Sequence, residues 1–173
     1  ILQHSWHENN DFLHLCGVSL TGVVRRPDLG PYELRLLRNA AIMGAYSMAD
    51  ELGLPRPKNV TTLKPEGTIS KCYDTTEGAH KPLARHIFNN VTFVKHDPLV
   101  PVLREAGYKI MPHPNGTGDW VITLPISWDD VDFEKIGGLE VNVETAIDQL
   151  ERYKLLMDNY VEQNCSITVS YDP

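Results

Sequence analysis

The chain has 173 residues, 42% of them hydrophobic and 23% charged. That is enough for one ordinary domain or part of a larger one, and it lacks the low-hydrophobicity composition of a disordered chain. Sixteen Lys and Arg against 23 Asp and Glu give a formal net charge of -7, which excludes the whole-chain basic footprint of direct nucleic-acid binding. Three cysteines exclude a disulfide scaffold, and no apolar run approaches the roughly 20 residues that a bilayer-spanning helix needs.

Residues 1–12 (ILQHSWHENNDF) have neither the basic start nor the apolar stretch of a signal peptide and read as irregular, consistent with a cytoplasmic chain. Residues 15–24 (LCGVSLTGVV) are apolar and rich in β-branched side chains and predict a buried strand. Pro31 suits the first position of a helix. From there Leu34, Leu37, Ala41, Gly44, Met48 and Leu52 recur at three- and four-residue steps as one helical stripe, with Gly53 placed as the C-terminal cap and Gly44 placed to admit a close neighbour. Residues 58–63 (KNVTTL) predict a second strand, stopped by Pro65, and residues 86–95 (HIFNNVTFVK) a third.

Asp97-Pro98 opens a short helix that Gly107 closes. Residues 108–111 and 120–126 predict two strands joined through Asn115-Gly116-Thr117-Gly118 as a hairpin. Residues 127–138 are acidic and read as a loop. Ile147, Leu150, Tyr153, Met157, Tyr160 and Val161 mark a second long amphipathic helix. In residues 165–171, Cys165, Ile167, Val169 and Tyr171 alternate with small polar residues, as in a half-buried strand. Long helices between buried strands predict an α/β fold with parallel strands and an inserted antiparallel hairpin, as one domain or part of one. Both ends are abrupt and read as the ends of a piece of something longer.

The sharpest chemical signal is the run 61–70 (TTLKPEGTIS). A strand enters a Pro-Glu-Gly turn and leaves through small hydroxylated residues. Backbone N–H groups at such a turn lack partners and point outward, and Gly67 permits close approach of an anion. On the residues alone, a plain strand-to-helix turn capped by Thr68 competes with a phosphate site. The spacing is not that of a Walker loop. His4 and His7 are three apart but sit in the irregular N-terminal stretch, so a zinc site there is outweighed by a solvated segment. Cys72 reads as a small packing residue rather than a reactive thiol, and Cys16 and Cys165 read as core. Four Asn-x-Ser/Thr sequons, at Asn59, Asn90, Asn115 and Asn164, read as chance in a cytosolic chain.

Several segments in order resemble the catalytic chains of ribonucleotide reductases, with the likeness strongest to the adenosylcobalamin-dependent branch. Residues 17–23 (GVSLTGV) look like a barrel strand of that family, and 61–70 like its substrate phosphate-binding loop. Residues 75–80 (TTEGAH), 97–108 (DPLVPVLREAGY) and 164–169 (NCSITV) look like later segments. The likeness runs from about Asp11 through nearly the whole chain.

The resemblance implies that residues 1–173 are the C-terminal part of a ten-stranded α/β barrel. It implies a cysteine thiyl radical, generated with adenosylcobalamin, that converts a ribonucleoside di- or triphosphate to the 2′-deoxyribonucleotide. It carries onto Pro65, Glu66, Gly67, Thr68, Ile69 and Ser70 the task of holding the substrate phosphates. It carries no catalytic or metal-binding role onto any residue here. The family's Asn-x-Cys-x-Glu loop is missing from the sequence, which implies an upstream segment or partner chain that supplies it. The rival expectations are a non-catalytic relative that binds a nucleotide or a partner, and an unrelated phosphate-binding α/β enzyme.

Overall fold

The computed structural model describes residues 3–170, and these divide into two compact units. Leu83–Asn142 forms one of them, and the segments before and after it form the other.

The first unit is built on three extended segments that run parallel. Val18 bridges Thr61, and Leu63 bridges Cys165. The Val18 N–H donates to the Val60 carbonyl at 2.9 Å, the Leu63 N–H to Asn164 at 2.8 Å and the Ser166 N–H to Leu63 at 2.9 Å. The middle segment is the most deeply placed: Val60, Thr61 and Leu63 are at most 1% exposed. A parallel connection needs a crossover of a dozen or more residues, and the helices supply it. Helix α2 (Pro31–Glu51) separates the first segment from the second, and α5 (Ala146–Asn159) precedes the third. The two helices pack against each other. Leu34, Leu63, Ala79, Leu156, Tyr160 and Val161 form the core, joined by half-buried Leu20, Leu29 and Cys165.

Local chemistry sets the helix ends. Pro31 occupies the first turn of α2, the Gly30 N–H donates to the Glu33 carboxylate at 3.2 Å, and Gly53 follows the helix at φ +66°. Thr145 and Asp148 cap α5 reciprocally: the Thr145 N–H donates to Asp148 at 2.8 Å and the Asp148 N–H to the Thr145 hydroxyl at 3.2 Å.

The second unit is antiparallel. Strands β1 (His86–Phe93), β2 (Lys109–Pro112) and β3 (Trp120–Ser127) form a sheet in the order β1-β3-β2, with Val91, Ile122 and Ile110 in one row. Short helix α4 (Leu99–Glu105) joins β1 to β2. Its first amide, Leu99, donates to the Asp97 carboxylate at 2.9 Å. The expected hairpin is present: Asn115 Oδ1 accepts from the Thr117 amide at 3.2 Å and from its hydroxyl at 2.9 Å.

Several expectations are corrected. The irregular N-terminal stretch is helix α1 (His4–Leu13), in which i,i+4 pairs join His4 to Glu8 and His7 to Asp11. The acidic loop 127–138 contains strand β4 (Glu134–Ile136), which pairs with β5 (Leu139–Val141). Gly137 and Gly138 both take positive φ, as a two-residue hairpin turn requires. Strand β1 joins an antiparallel sheet rather than the parallel set. The strand expected over 15–24 ends early, with a 3-10 turn at Val23–Arg25.

Residues after Cys165 do not alternate. Ser166 and Ile167 are both half-buried and Val169 is exposed, while Tyr171 lies outside the described residues. The buried face of α2 follows Leu34, Arg38, Ala41, Ala45 and Ala49, so Leu37 and Met48 face outward. Nothing lies within 4 Å of a side chain built at Gly44, so no close neighbour needs that glycine. On α5, Gln149 and Leu156 are buried while Ile147 and Leu150 are exposed. No helix among the described residues is long and apolar enough to cross a membrane.

Candidate functional site

The run 61–70 begins in the middle parallel segment, where side chains fasten it from both sides. The Thr61 hydroxyl donates to the Tyr160 carbonyl at 2.6 Å, and the Thr62 hydroxyl to the Asn164 carbonyl at 2.8 Å. The Lys64 N–H donates to the Ser19 hydroxyl at 2.9 Å. Glu162 lies across the start of the run. Its carboxylate accepts from the amides of Val60 at 2.9 Å and Thr61 at 3.2 Å and pairs with Arg38 at 3.3 Å. Burial pushes this carboxyl up, but the two amides and the guanidinium outweigh burial and hold it below its usual value.

At Glu66 the chain turns through φ +58°, a left-handed conformation uncommon for a residue with a side chain. The turn closes through the Ser70 N–H on the Glu66 carbonyl at 2.9 Å and the Lys71 N–H on the Thr68 carbonyl at 3.2 Å. Helix α3 (Ile69–Cys72) is a single turn. The amides of Gly67, Thr68 and Ile69 make no hydrogen bond among the described residues. Gly67 and Thr68 are exposed and Ile69 is 47% exposed. Pro65 is exposed and Glu66 half-buried, whereas Ser70 is fully buried and its hydroxyl faces the Gly67 carbonyl at 3.4 Å. Thr68 takes the cap position with no side-chain cap bond, so the plain capped-turn reading is not what this loop shows.

Residues 75–80 fold back onto the start of the loop. The Thr76 carbonyl accepts from the Gly22 N–H at 2.9 Å and from the Thr21 hydroxyl at 2.7 Å. Gly78, at φ +47°, lies so close to Lys64 that an added Cβ would sit 2.3 Å from the Lys64 carbonyl oxygen. The His80 ring is held on both sides: Nε2 accepts from the Thr168 N–H at 2.9 Å, and Nδ1 lies 3.3 Å from the Glu77 carbonyl.

Two charged residues beside the loop were not singled out from the sequence. Lys71 Nζ lies 2.6 Å from Glu77 Oε1 and 3.5 Å from the Ser70 hydroxyl. A Lys and a Glu six positions apart across a glycine- and threonine-rich turn have no periodic pattern that would connect them.

The other candidates stay apart. Among the described residues no three His, Cys, Asp or Glu side chains stand together as metal donors. Cys72 is exposed rather than packed, and Cys16 is half-buried. Burial pushes the Cys165 thiol up, away from the thiolate form a nucleophile needs.

No family profile matches the chain. Individual relatives do. The chain is 31% identical over 132 residues to an adenosylcobalamin-dependent ribonucleoside-triphosphate reductase of Lacticaseibacillus paracasei, covering 75% of this chain and 17% of the relative. It is 30% identical over 122 residues to a probable reductase of the same description from Dictyostelium discoideum, covering 70% of this chain and 15% of the relative. The chain belongs to the adenosylcobalamin-dependent ribonucleotide reductase family. A reductase of the same description from Lactobacillus acidophilus matches over 156 residues at 28% identity, covering 86% of this chain and 20% of its own. In structure, the chain resembles a B12-dependent class II ribonucleotide reductase with a TM-score of 0.72 at 18% identity, over 94% of this chain and 27% of that one. The chain thus spans at most a fifth of the length of these curated relatives.

Proposed function

We propose that this chain is part of a ribonucleotide reductase that makes 2′-deoxyribonucleotides by thiyl-radical chemistry. In this reading residues 1–173 belong to one ten-stranded α/β barrel domain of a cytoplasmic enzyme, and the antiparallel unit is an insertion between its second and third parallel segments. Adenosylcobalamin would supply the radical. The cysteine that carries it would come from an Asn-x-Cys-x-Glu segment elsewhere in the protein or in a partner chain. The three parallel segments, with a long helix before the second and another before the third, support the barrel reading. So do the apolar residues that α2 and α5 leave exposed, among them Leu36, Met43 and Ile147.

The task proposed for this stretch is to hold the phosphates of a ribonucleoside di- or triphosphate on the loop of Pro65, Glu66, Gly67, Thr68, Ile69 and Ser70. One observation carries it. The amides of Gly67, Thr68 and Ile69 find no acceptor among the described residues, on a loop fastened at both ends. A phosphate oxygen is the acceptor that suits such amides, and because the loop is already fixed, little ordering has to accompany binding.

Deleting one of these amides tests the reading. Thr68 has φ -86° and follows a glycine, so Thr68→Pro removes its N–H with little backbone strain. In the full-length protein, Thr68→Pro should weaken binding of a ribonucleoside triphosphate by about tenfold. An unchanged affinity by calorimetry overturns the phosphate assignment.

A further inference from the structure

The ion pair beside the loop carries an inference that rests on the phosphate reading and deepens it. Lys71 is largely covered, at 18% side-chain exposure, and its ammonium spans the Glu77 carboxylate and the hydroxyl of buried Ser70. Glu77 in turn lies against the turn of the loop. A Cβ built on Gly67 would stand 3.9 Å from Glu77 Oε2 and 4.0 Å from Oε1. The pair therefore lies beside Gly67, the first of the three residues whose amides are unpartnered, and against Ser70, which ends the loop.

An ammonium carries three donors on a flexible stem and can serve two acceptors at once. A polyphosphate on the loop would meet two opposite effects from this pair: attraction by Lys71 and like-charge repulsion by Glu77. We propose that Lys71 is a further phosphate-positioning residue and that Glu77 is its internal competitor. Glu77 holds the ammonium against Ser70 in the free protein and yields it to an incoming polyphosphate. The pair then selects by charge, because each additional phosphate charge gains from Lys71 and must overcome Glu77. A ligand with a single phosphate displaces the carboxylate less readily than one with three.

The two partners have opposite signs, which separates this role from that of a structural salt bridge. In the full-length protein, Lys71→Met should weaken binding of inorganic tripolyphosphate by about tenfold, and Glu77→Gln should tighten it several-fold, both effects shrinking at high salt and with inorganic phosphate as the probe. Lys71→Arg should keep most of the affinity, which guards against misreading a folding defect. If Lys71→Met has no effect, or if both neutral variants weaken binding, while Thr68→Pro still weakens it, the competitor role is overturned and the phosphate loop stands. If tripolyphosphate fails to bind, or binds Thr68→Pro as it binds the unchanged protein, the phosphate loop falls and this inference falls with it.

Discussion

The carboxylate of Glu162 reaches across 101 residues of sequence to the backbone of Thr61, accepting its N–H at 3.2 Å. The same side chain accepts from the Val60 amide and from Arg38 of α2. One acidic group thus joins the end of α5 to the middle parallel segment and to the opposing helix. It fixes the segment from which the loop of residues 65–70 departs.

That arrangement makes stability depend on pH in a definite direction. The Glu162 carboxyl is held below its usual value of 4.5 in the folded chain. Its contribution is therefore fully present above about pH 4.5 and is lost as pH falls through the lower folded value. Urea unfolding followed between pH 3 and 7 should show this loss, and Glu162→Gln should flatten the profile. Glu162→Ala should destabilise the unit by about 2 kcal/mol or more, because it strands two backbone donors.

Gly78 offers a steric test. Its φ of +47° and the 2.3 Å approach of a built Cβ to the Lys64 carbonyl leave no room for a side chain. Gly116 also has positive φ, at +72°, but nothing lies within 4 Å of its Cβ position. Gly116→Ala should cost about 1 kcal/mol from backbone strain alone. Gly78→Ala should cost about 3 kcal/mol, since a backbone oxygen at the root of the loop must also move. Equal shifts in thermal midpoint would contradict the close contact.

Tyr160 reports on the core by titration. Its ring is 1% exposed, and its hydroxyl donates to the Val18 carbonyl at 3.1 Å. Burial pushes the phenol up to about 12 from its usual 10.0. A phenol raised in the folded state stabilises fully below pH 10 and loses that contribution as pH rises toward 12. Ultraviolet titration should show one tyrosine ionising late, and Tyr160→Phe should remove that step at a cost of about 1 kcal/mol. The Val18 carbonyl keeps its second donor, the Thr62 amide at 3.0 Å, so the loss stays small.

Much of this architecture was legible in the residues themselves. Pro31 and Gly53 bracket α2, Asp97 and Gly107 bracket α4, and Asn115 to Gly118 turn the hairpin, because caps and turns are local physics. The Pro-Glu-Gly turn after a buried strand marked the loop, and the order of several segments marked the family. Helical periodicity located the buried faces only in part: Leu34, Ala41, Tyr160 and Val161 of the expected stripes are buried or half-buried, whereas other members are exposed. On α2 the apolar stripe through Leu37 and Met48 faces outward, whereas Arg38 lies on the inner face. A charged side chain reads as surface in one dimension, and only its partner Glu162, distant in sequence, makes its partial burial favourable.

The sequence by itself determined the hairpin turn at Asn115 to Gly118, the limits of α2 and α4, the family and the position of the loop, since each rests on neighbouring residues or on their order. Only the tertiary structure decided which strands run parallel, which faces are covered, and that Lys71 and Glu77 meet beside Gly67. Those outcomes depend on contacts between segments far apart in the chain, where hydrogen bonding and charge are settled by geometry that no local pattern contains.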